Sequence, residues 1–139
     1  MKEHRTLHSP RVYIYIAILL LTIVAFVLAA ACSPSANQDT QALLELGKSL
    51  TIQKGCVACH STDGSRIVGP TFLGLYGSQV AFEDGSTGKA DEAYLRQSIV
   101  DPTAKIVSDY DALMPQDFGS RLTEEEISAL IQYIKSLGE

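Results

Sequence analysis

The hydrophobic positions of the chain fall into one long apolar segment followed by three shorter segments with helical spacing. No charged residue occurs between Val12 and Ala31, and these twenty residues are enough to span a bilayer as a helix. Downstream, apolar residues recur with the spacing of a single helix face within residues 41–54, 91–100 and 123–137. The pattern predicts an N-terminal hydrophobic segment and, after it, a mostly α-helical domain.

The last helix carries the most complete signals. Thr123 and Glu126 have the spacing of a capping box, and Leu122 is placed to pack against Ile127 as a hydrophobic staple. Core packing accounts for the apolar stripe that follows, which comprises Ile127, Leu130, Ile131, Ile134 and Leu137.

Gly47 lies inside the first downstream helix, where a glycine costs up to about 1 kcal/mol relative to alanine. We interpret it as a point at which another backbone passes close by. Leu130 and Tyr133 are the expected contacts, which would cross the two terminal helices of the domain.

Between the helices the sequence indicates loops and one small ribbon. Asp84-Gly85 is a hairpin turn signal within residues 80–87. Asp101-Pro102 ends the middle helix, because a residue before proline disfavours the helical conformation. Residues 69–77 mix glycines and a proline with apolar residues and are expected to wrap on a bound group, whereas residues 105–111 are expected to be extended or irregular.

The run Cys56-Val57-Ala58-Cys59-His60 indicates covalent attachment of haem c. Two cysteines at this spacing lie on one side of a helical turn and can add to two vinyl groups of a porphyrin, while the adjacent His60 can ligate the iron. A zinc site needs four ligands, and the only other cysteine is Cys32, beside the apolar segment. A dithiol oxidoreductase needs strands around the motif, whereas the flanking sequence predicts helix and loop.

A second axial ligand follows by elimination. His4, His8 and Met1 precede the apolar segment, so Met114 is the one histidine or methionine besides His60 that follows it. Methionine is often a core filler, but the loop context favours a ligand here. A haem with histidine and methionine ligands has both axial positions filled and a comparatively high potential, which suits electron transfer rather than catalysis.

The end of the apolar segment resembles the lipobox of bacterial lipoproteins, in which cleavage exposes a cysteine for acylation. The residues are Leu28-Ala29-Ala30-Ala31-Cys32, with alanine where that family usually has leucine three positions before the cysteine. Lipidation of Cys32 and an uncleaved helical anchor are both open, and each tethers the domain to a membrane. The basic residues before the segment place the domain on the extracytoplasmic side. The predicted parts are a lipoprotein signal peptide or transmembrane anchor over 1–31, a flexible linker over 32–40 and the haem domain over 41–139.

The charge of the exported part is acidic. After residue 32 there are 8 Lys and Arg against 15 Asp and Glu, a formal balance of −7 compared with −5 for the whole chain. Nucleic acid is therefore excluded as an expected partner, since a phosphate backbone needs a basic surface. A solvated acidic surface and steering toward a basic partner both explain the excess.

Together the motifs resemble those of class I cytochromes c over residues 41–139. They are the Cys56 to His60 run, Gly69-Pro70, Met114-Pro115 and the terminal Leu130-Ile131-Gln132-Tyr133. The resemblance implies crossed terminal helices around one covalent haem, with thioethers from Cys56 and Cys59 and iron ligation by His60 and Met114. It also implies that the carbonyl of Pro70 accepts a hydrogen bond from His60.

A closer likeness concerns residues 68–72, 94–102 and 104–107, which resemble the cytochrome c domain fused to subunit II of some bacterial haem-copper oxidases, without the copper domain of that subunit. The chain is also similar in size, anchoring and haem count to the monohaem subunit of alternative complex III. These resemblances imply a membrane-anchored carrier of single electrons in a respiratory or photosynthetic chain. Its partners would be a quinol-oxidising complex and a haem-copper oxidase or soluble electron carrier. Tyr76, Arg96 and Tyr110 are weaker candidates for haem-propionate contacts, and packing is the expected role of each.

Three other functions belong to different classes. A peroxidase needs an open axial position and distal acid-base groups, and no second histidine follows the apolar segment to supply one. A haem-based redox sensor needs a releasable Met114 and an output domain. A structural or assembly subunit would carry a haem that is not reduced and reoxidised during turnover of its native membranes.

Overall fold

The computed structural model describes residues 10–30 and 36–138. The chain divides between Ser35 and Ala36 into two units. In the first unit, helix α1 runs over Pro10–Ala30. Among the residues described, no helix combines the length and the apolarity needed to cross a membrane. Cys32, the predicted site of lipidation, lies outside the described residues.

The second unit is mostly helical, with one small antiparallel ribbon. Its helices are α2 (Ala36–Gln53), α3 (Glu92–Val100), α4 (Phe118–Arg121) and α5 (Glu124–Ser136), a 3₁₀ turn covers Cys56–Ala58, and the strands are β1 (Gln79–Ala81) and β2 (Thr87–Lys89).

The core of this unit lies where α2 and α5 pack together and α3 packs beside them. Its buried apolar residues are Leu50, Phe72, Leu95, Ile99, Phe118, Leu122, Ile127, Ala129, Leu130, Ile131 and Ile134. Both members of the predicted staple, Leu122 and Ile127, belong to this core.

Gly47 is the point of closest approach between α2 and α5. A Cβ at this position would overlap the carbonyl oxygen of Ala129 and lie 2.8 Å from Cβ of Tyr133. The predicted contact with Tyr133 is therefore confirmed, and Ala129 is a contact that was not predicted. The predicted contact with Leu130 stays a prediction. Ala129 and Tyr133 are four positions apart and share a helix face, whereas Leu130 is turned into the core and is only 3% exposed.

Helix α2 begins at Ala36, five residues before the predicted start at Gln41. Residues 36–40, which the sequence assigned to a linker, form the first turns of the helix. Residues 37–40 are all exposed, so the lack of apolar residues there reflects a solvent-facing turn. The acidic side chain of Asp39 in the first turn also suits the positive end of the helix dipole.

The predicted ribbon is present. Strands β1 and β2 pair antiparallel with Val80 opposite Gly88, and Gly85 takes the left-handed conformation that the turn requires, with φ of 81°. The segment predicted to be extended or irregular is partly paired with this ribbon, through a bridge between Phe82 and Val107.

The helix ends follow the sequence signals. In α5 the side chain of Thr123 accepts from the N–H of Glu126, whose carboxylate accepts from the N–H of Thr123, so the capping box is complete. Asp91 caps α3 by accepting from the N–H of Tyr94, and Asp101 ends that helix before Pro102. The short helix α4 was not predicted, because four residues are too few to show a helical period.

The substitution Gly47→Ala tests the contact between α2 and α5. Because the new Cβ must displace the backbone of Ala129 or the side chain of Tyr133, we expect the free energy of unfolding of the haem-loaded protein to fall by about 1–3 kcal/mol. Denaturant unfolding followed by haem absorbance measures this loss. In the control Gly138→Ala the nearest atom to a new Cβ is 3.5 Å away, so stability should stay within about 0.5 kcal/mol of wild type. Equal midpoints for all three proteins would show that the helices do not need this close approach.

Candidate haem-binding site

The two cysteines of the motif lie on a single turn directly after α2. Gly55 starts the turn in the left-handed conformation, with φ of 79°, which glycine adopts without steric cost. Within the turn, Cys59 and His60 donate their backbone N–H groups to the carbonyl of Cys56 at 3.1 and 2.9 Å. This local winding brings both cysteines and His60 to one cavity.

An ion pair fixes the start of this turn to the last helix. Nζ of Lys54 lies 3.0 Å from a carboxylate oxygen of Glu126, and Glu126 also belongs to the capping box of α5. The carboxylate accepts the N–H of Thr123 and pairs with Lys54, and both interactions lower the pKa of Glu126. The end of α2 and the start of α5 are thus joined immediately before the first cysteine.

The thiols of Cys56 and Cys59 are both free and half-buried. Burial raises the pKa of the Cys56 thiol above its ordinary value, and this effect exceeds the opposing contribution of the backbone. The Cys56 thiol is therefore protonated at neutral pH before haem is attached.

The His60 ring is oriented by the loop that follows it. Nδ1 lies 2.7 Å from the carbonyl oxygen of Pro70, and because a carbonyl can only accept, Nδ1 carries the proton. The lone pair is then on Nε2, the form in which neutral imidazole ligates a metal. Burial lowers the pKa of His60, with a smaller opposing effect from Pro70, so the ring is neutral at physiological pH.

Two neighbours restrict the ring further. Phe72 stacks on it with centroids 4.7 Å apart and an angle of 7° between the planes. Gly69 passes so close that a Cβ there would lie 2.6 Å from Cε1 of His60. The loop is tied back to the motif by a 2.7 Å hydrogen bond from the N–H of Gly69 to the carbonyl of Cys59. His60 is therefore held by a hydrogen bond, a stacked ring and a backbone that leaves no spare space.

Met114 lines the same cavity as the cysteines and His60. It is half-buried and packs on the core, although its neighbours Leu113 and Pro115 are exposed. The structure thus brings Met114 to the cavity from a loop more than fifty positions further along the chain.

The cavity has the character of a haem crevice. It is lined mainly by apolar side chains, which include Phe72, Leu75, Leu95, Ile99, Ile106, Val107, Phe118, Leu122, Leu130 and Ile134. Among the described residues that line it are one imidazole, one thioether and two thiols, and the amines of Lys54 and Lys105 also belong to the lining. This donor set fits a covalently held porphyrin with two axial ligands, and Cys56, Cys59, His60 and Met114 would hold it.

The other predicted contacts divide between cavity and surface. Pro70 makes the hydrogen bond that the resemblance implied, and Tyr110 lines the cavity. Tyr76 and Arg96 do not line it. Arg96 pairs with Glu124 at 2.5 Å, and Tyr76 lies beneath Nζ of Lys135. The packing role that the sequence favoured for both stays a prediction.

A turn that carries Cys-X-X-Cys-His and an apolar crevice that receives a methionine together define a c-type haem protein. The family model described as Cytochrome c matches residues 44–138, and the chain belongs to this family. It therefore carries covalently attached haem c and transfers electrons as a c-type cytochrome. The zinc and dithiol alternatives are set aside by this assignment. No curated protein matches the chain.

Several contacts of the site were not predicted. The stacking of Phe72 on His60 and the ion pair of Lys54 with Glu126 join residues that no sequence period connects. A glycine directly before Pro70 was the only sequence sign that the backbone passes close to a ring, and it could not show which ring.

The substitution Gly69→Ala tests the restraint on His60. The added Cβ would overlap the imidazole, so the ring must shift and lose the hydrogen bond to Pro70. We expect the Nδ1–H proton of His60 to lose its protection against exchange in NMR spectra, and stability to fall by about 1–3 kcal/mol. Ile67→Ala is the control, since Ile67 is 41% exposed and lies outside the cavity lining. An unchanged Nδ1–H signal in Gly69→Ala would contradict this account of the restraint.

Proposed function

We propose that this chain is a membrane-anchored monohaem cytochrome that relays single electrons in a respiratory or photosynthetic chain. The observation that carries the proposal is the convergence of His60 and Met114 on one apolar cavity beside the two cysteines. When bound, haem supplies an iron that gains or loses one electron. The residues of this chain set its ligands, its surroundings and its access to water.

The two proposed iron ligands have different effects. His60 presents a lone pair on Nε2, because Pro70 holds the proton on Nδ1, and a hydrogen-bonded imidazole is a more basic ligand. Met114 offers a thioether, a soft donor that favours the reduced state and raises the potential. If His60 and Met114 both held the iron, they would leave no place there for a substrate to bind, which supports a carrier over a peroxidase.

The apolar lining supports the same role. Side chains such as Leu95, Ile99 and Leu130 are buried and line the cavity, so they exclude water from a bound porphyrin. A preorganised, dry site needs little rearrangement when its charge changes. Because buried Phe72 stacks on His60, the ligand on that side keeps its orientation in both oxidation states.

Membrane attachment is proposed through the N-terminal segment. Within residues 13–24 of α1 the large apolar side chains are exposed, for example Leu21 at 75% and Tyr15 at 71%, and apolar surface of this kind favours an apolar environment. The lipobox-like sequence that ends at Cys32 supports acylation of this cysteine after cleavage. The haem domain then works on the extracytoplasmic face of the membrane.

The proposed partners are a quinol-oxidising complex as electron donor and a haem-copper oxidase or soluble carrier as acceptor. The support is the likeness of residues 68–72, 94–102 and 104–107 to the cytochrome c domain of oxidase subunit II. An anchored carrier of this size suits a relay between two complexes in the same membrane.

The substitution Met114→Ala tests the second ligand. We expect the oxidised protein to lose the sulfur-to-iron absorption band in the red, and the potential to fall by on the order of 100 mV within the ~0.8 V range that axial ligands span. Optical redox titration measures both. Gln116→Ala is the matched control, because Gln116 lies two positions after Met114, is exposed and does not line the cavity. If Met114→Ala keeps the band and the potential of wild type, Met114 is not a ligand.

The anchor is tested by intact mass spectrometry of the protein from its own membranes. We expect wild type to start at Cys32 and to carry acyl groups and one haem. Cys32→Ser should remain uncleaved and unacylated, while Ser33→Ala should be processed like wild type. A wild-type mass that includes residues 1–31 without acyl groups would replace the lipid anchor by a retained N-terminal segment.

A further inference from the structure

Arg66 connects the loop that follows His60 with the segment that leads to Met114. Its guanidinium donates a hydrogen bond to the carbonyl oxygen of Asp109, across 43 positions of sequence. Its Cζ atom also lies 4.4 Å from the centroid of the Tyr110 ring. We call this set of three residues, Arg66, Asp109 and Tyr110, the Arg66 clasp.

Residues 109–116, which we call the Met114 segment, make few other hydrogen bonds. Up to Ser108 the chain is held by the ribbon, since the N–H of Ser108 donates to Ala81 at 2.9 Å. Beyond Ser108, the N–H of Tyr110 donates to the carbonyl of Val107, and the N–H of Leu113 donates to the carbonyl of Asp111. These hydrogen bonds join residues close in sequence. In the described part of the chain, Arg66 is the one group beyond the adjoining turn that hydrogen-bonds to residues 109–116.

The backbone at the clasp has an unusual conformation. Asp109 is the one non-glycine residue with positive φ among those the structure describes, at 65°. Such a conformation is unfavourable for a residue with a Cβ and persists only where neighbours hold it in place. The carbonyl that Arg66 binds belongs to this same residue, so the arginine holds the chain where its backbone departs from the usual conformations.

The arginine itself starts from a well-anchored loop. The N–H of Ser65 donates to Oδ1 of Asp63 at 2.9 Å, and Oγ of Ser61 donates to the carbonyl of Ser65 at 2.6 Å. The loop then returns to the motif through the bond from Gly69 to Cys59. The side of the cavity that holds His60 is therefore fixed and can restrain the opposite side.

We propose that Arg66 is a positioning residue for Met114: it clasps the Met114 segment to the His60 side of the cavity and slows release of the methionine from iron. The proposal rests on the proposed ligation by Met114. Tyr110 transmits the restraint because it lies under the guanidinium and also lines the cavity four positions before Met114. A planar guanidinium can stack on the ring and bond the carbonyl together, which a lysine ammonium cannot do equally well.

Carbon monoxide is the probe for this restraint, because it binds the reduced protein only when Met114 leaves the iron. In Arg66→Ala we expect binding to be about tenfold faster, the factor that ~1.4 kcal/mol of restraint represents, while the sulfur-to-iron band of the oxidised form is retained. Arg66→Lys keeps the charge but not the stacking geometry, and should lie between Arg66→Ala and wild type. It also keeps the proposal testable if Arg66→Ala does not load haem.

Arg121→Ala is the matched control. Arg121 is likewise an exposed arginine above an aromatic ring, 5.5 Å from the centroid of Phe118, and it pairs with Asp117 at 3.1 Å. It makes no bond to the Met114 segment, so its removal should leave the carbon monoxide rate at the wild-type value.

The substitution Asp109→Gly distinguishes the role of the Asp109 backbone carbonyl from that of its side-chain carboxylate. Glycine keeps the carbonyl that Arg66 binds and accepts positive φ without cost, so the carbon monoxide rate should match wild type. A rate as fast as that of Arg66→Ala would show that the restraint depends on the Asp109 side chain and would overturn the backbone clasp.

Hydrogen exchange gives a readout independent of the iron. Arg66→Ala should speed exchange of the amides in residues 109–114 and leave those of α5 unchanged. If wild type lacks the sulfur-to-iron band, the ligation by Met114 fails. If wild type has the band and Arg66→Ala matches Arg121→Ala in both rate and exchange, the clasp alone is wrong.

Discussion

The close packing of α2 on α5 at Gly47 sets the geometry on which the site depends. Because a side chain at Gly47 would overlap the backbone of Ala129, this approach requires glycine. It fixes the end of α2, and the ion pair of Lys54 with Glu126 fixes the same end to the start of α5. The turn that carries the cysteines begins at the next residue, Gly55. The packing of α2 on α5 therefore determines where haem is attached.

The two sides of the cavity are built differently. On one side His60 is bonded to Pro70, stacked on Phe72 and confined by Gly69. On the other, Met114 lies in a segment with local hydrogen bonds and an attachment through Arg66. His60 is thus held by its immediate neighbours, whereas the segment that carries Met114 is attached at longer range.

Much of the domain could be predicted from local sequence signals. The capping box at Thr123, the proline after Asp101 and the turn at Gly85 act through neighbouring residues, and the structure confirms each. The start of α2 was misplaced because an exposed helical turn and a polar linker have the same composition. Gly47 indicated a close contact with another backbone, but only the packing of α2 on α5 shows that this backbone is that of Ala129.

The residues of the site likewise divide into those that sequence signals predicted and those that only the fold shows. Cys56, Cys59 and His60 were predicted from their spacing, and Met114 from the count of histidines and methionines; the structure brings all four to one cavity. The stacking of Phe72 and the clasp of Arg66 on Asp109 were not predictable, since each depends on where two loops meet in space. A positive φ at an aspartate leaves no mark in the sequence.

The central claim is that this chain holds one haem that exchanges one electron while His60 and Met114 stay bound. Potentiometric titration of the wild-type protein, followed by optical spectra, tests it most directly. The account predicts a single one-electron wave at comparatively high potential, with the sulfur-to-iron band present throughout the oxidised range. A two-electron wave without a haem spectrum, or a haem that lacks this band and binds carbon monoxide at once on reduction, would contradict it.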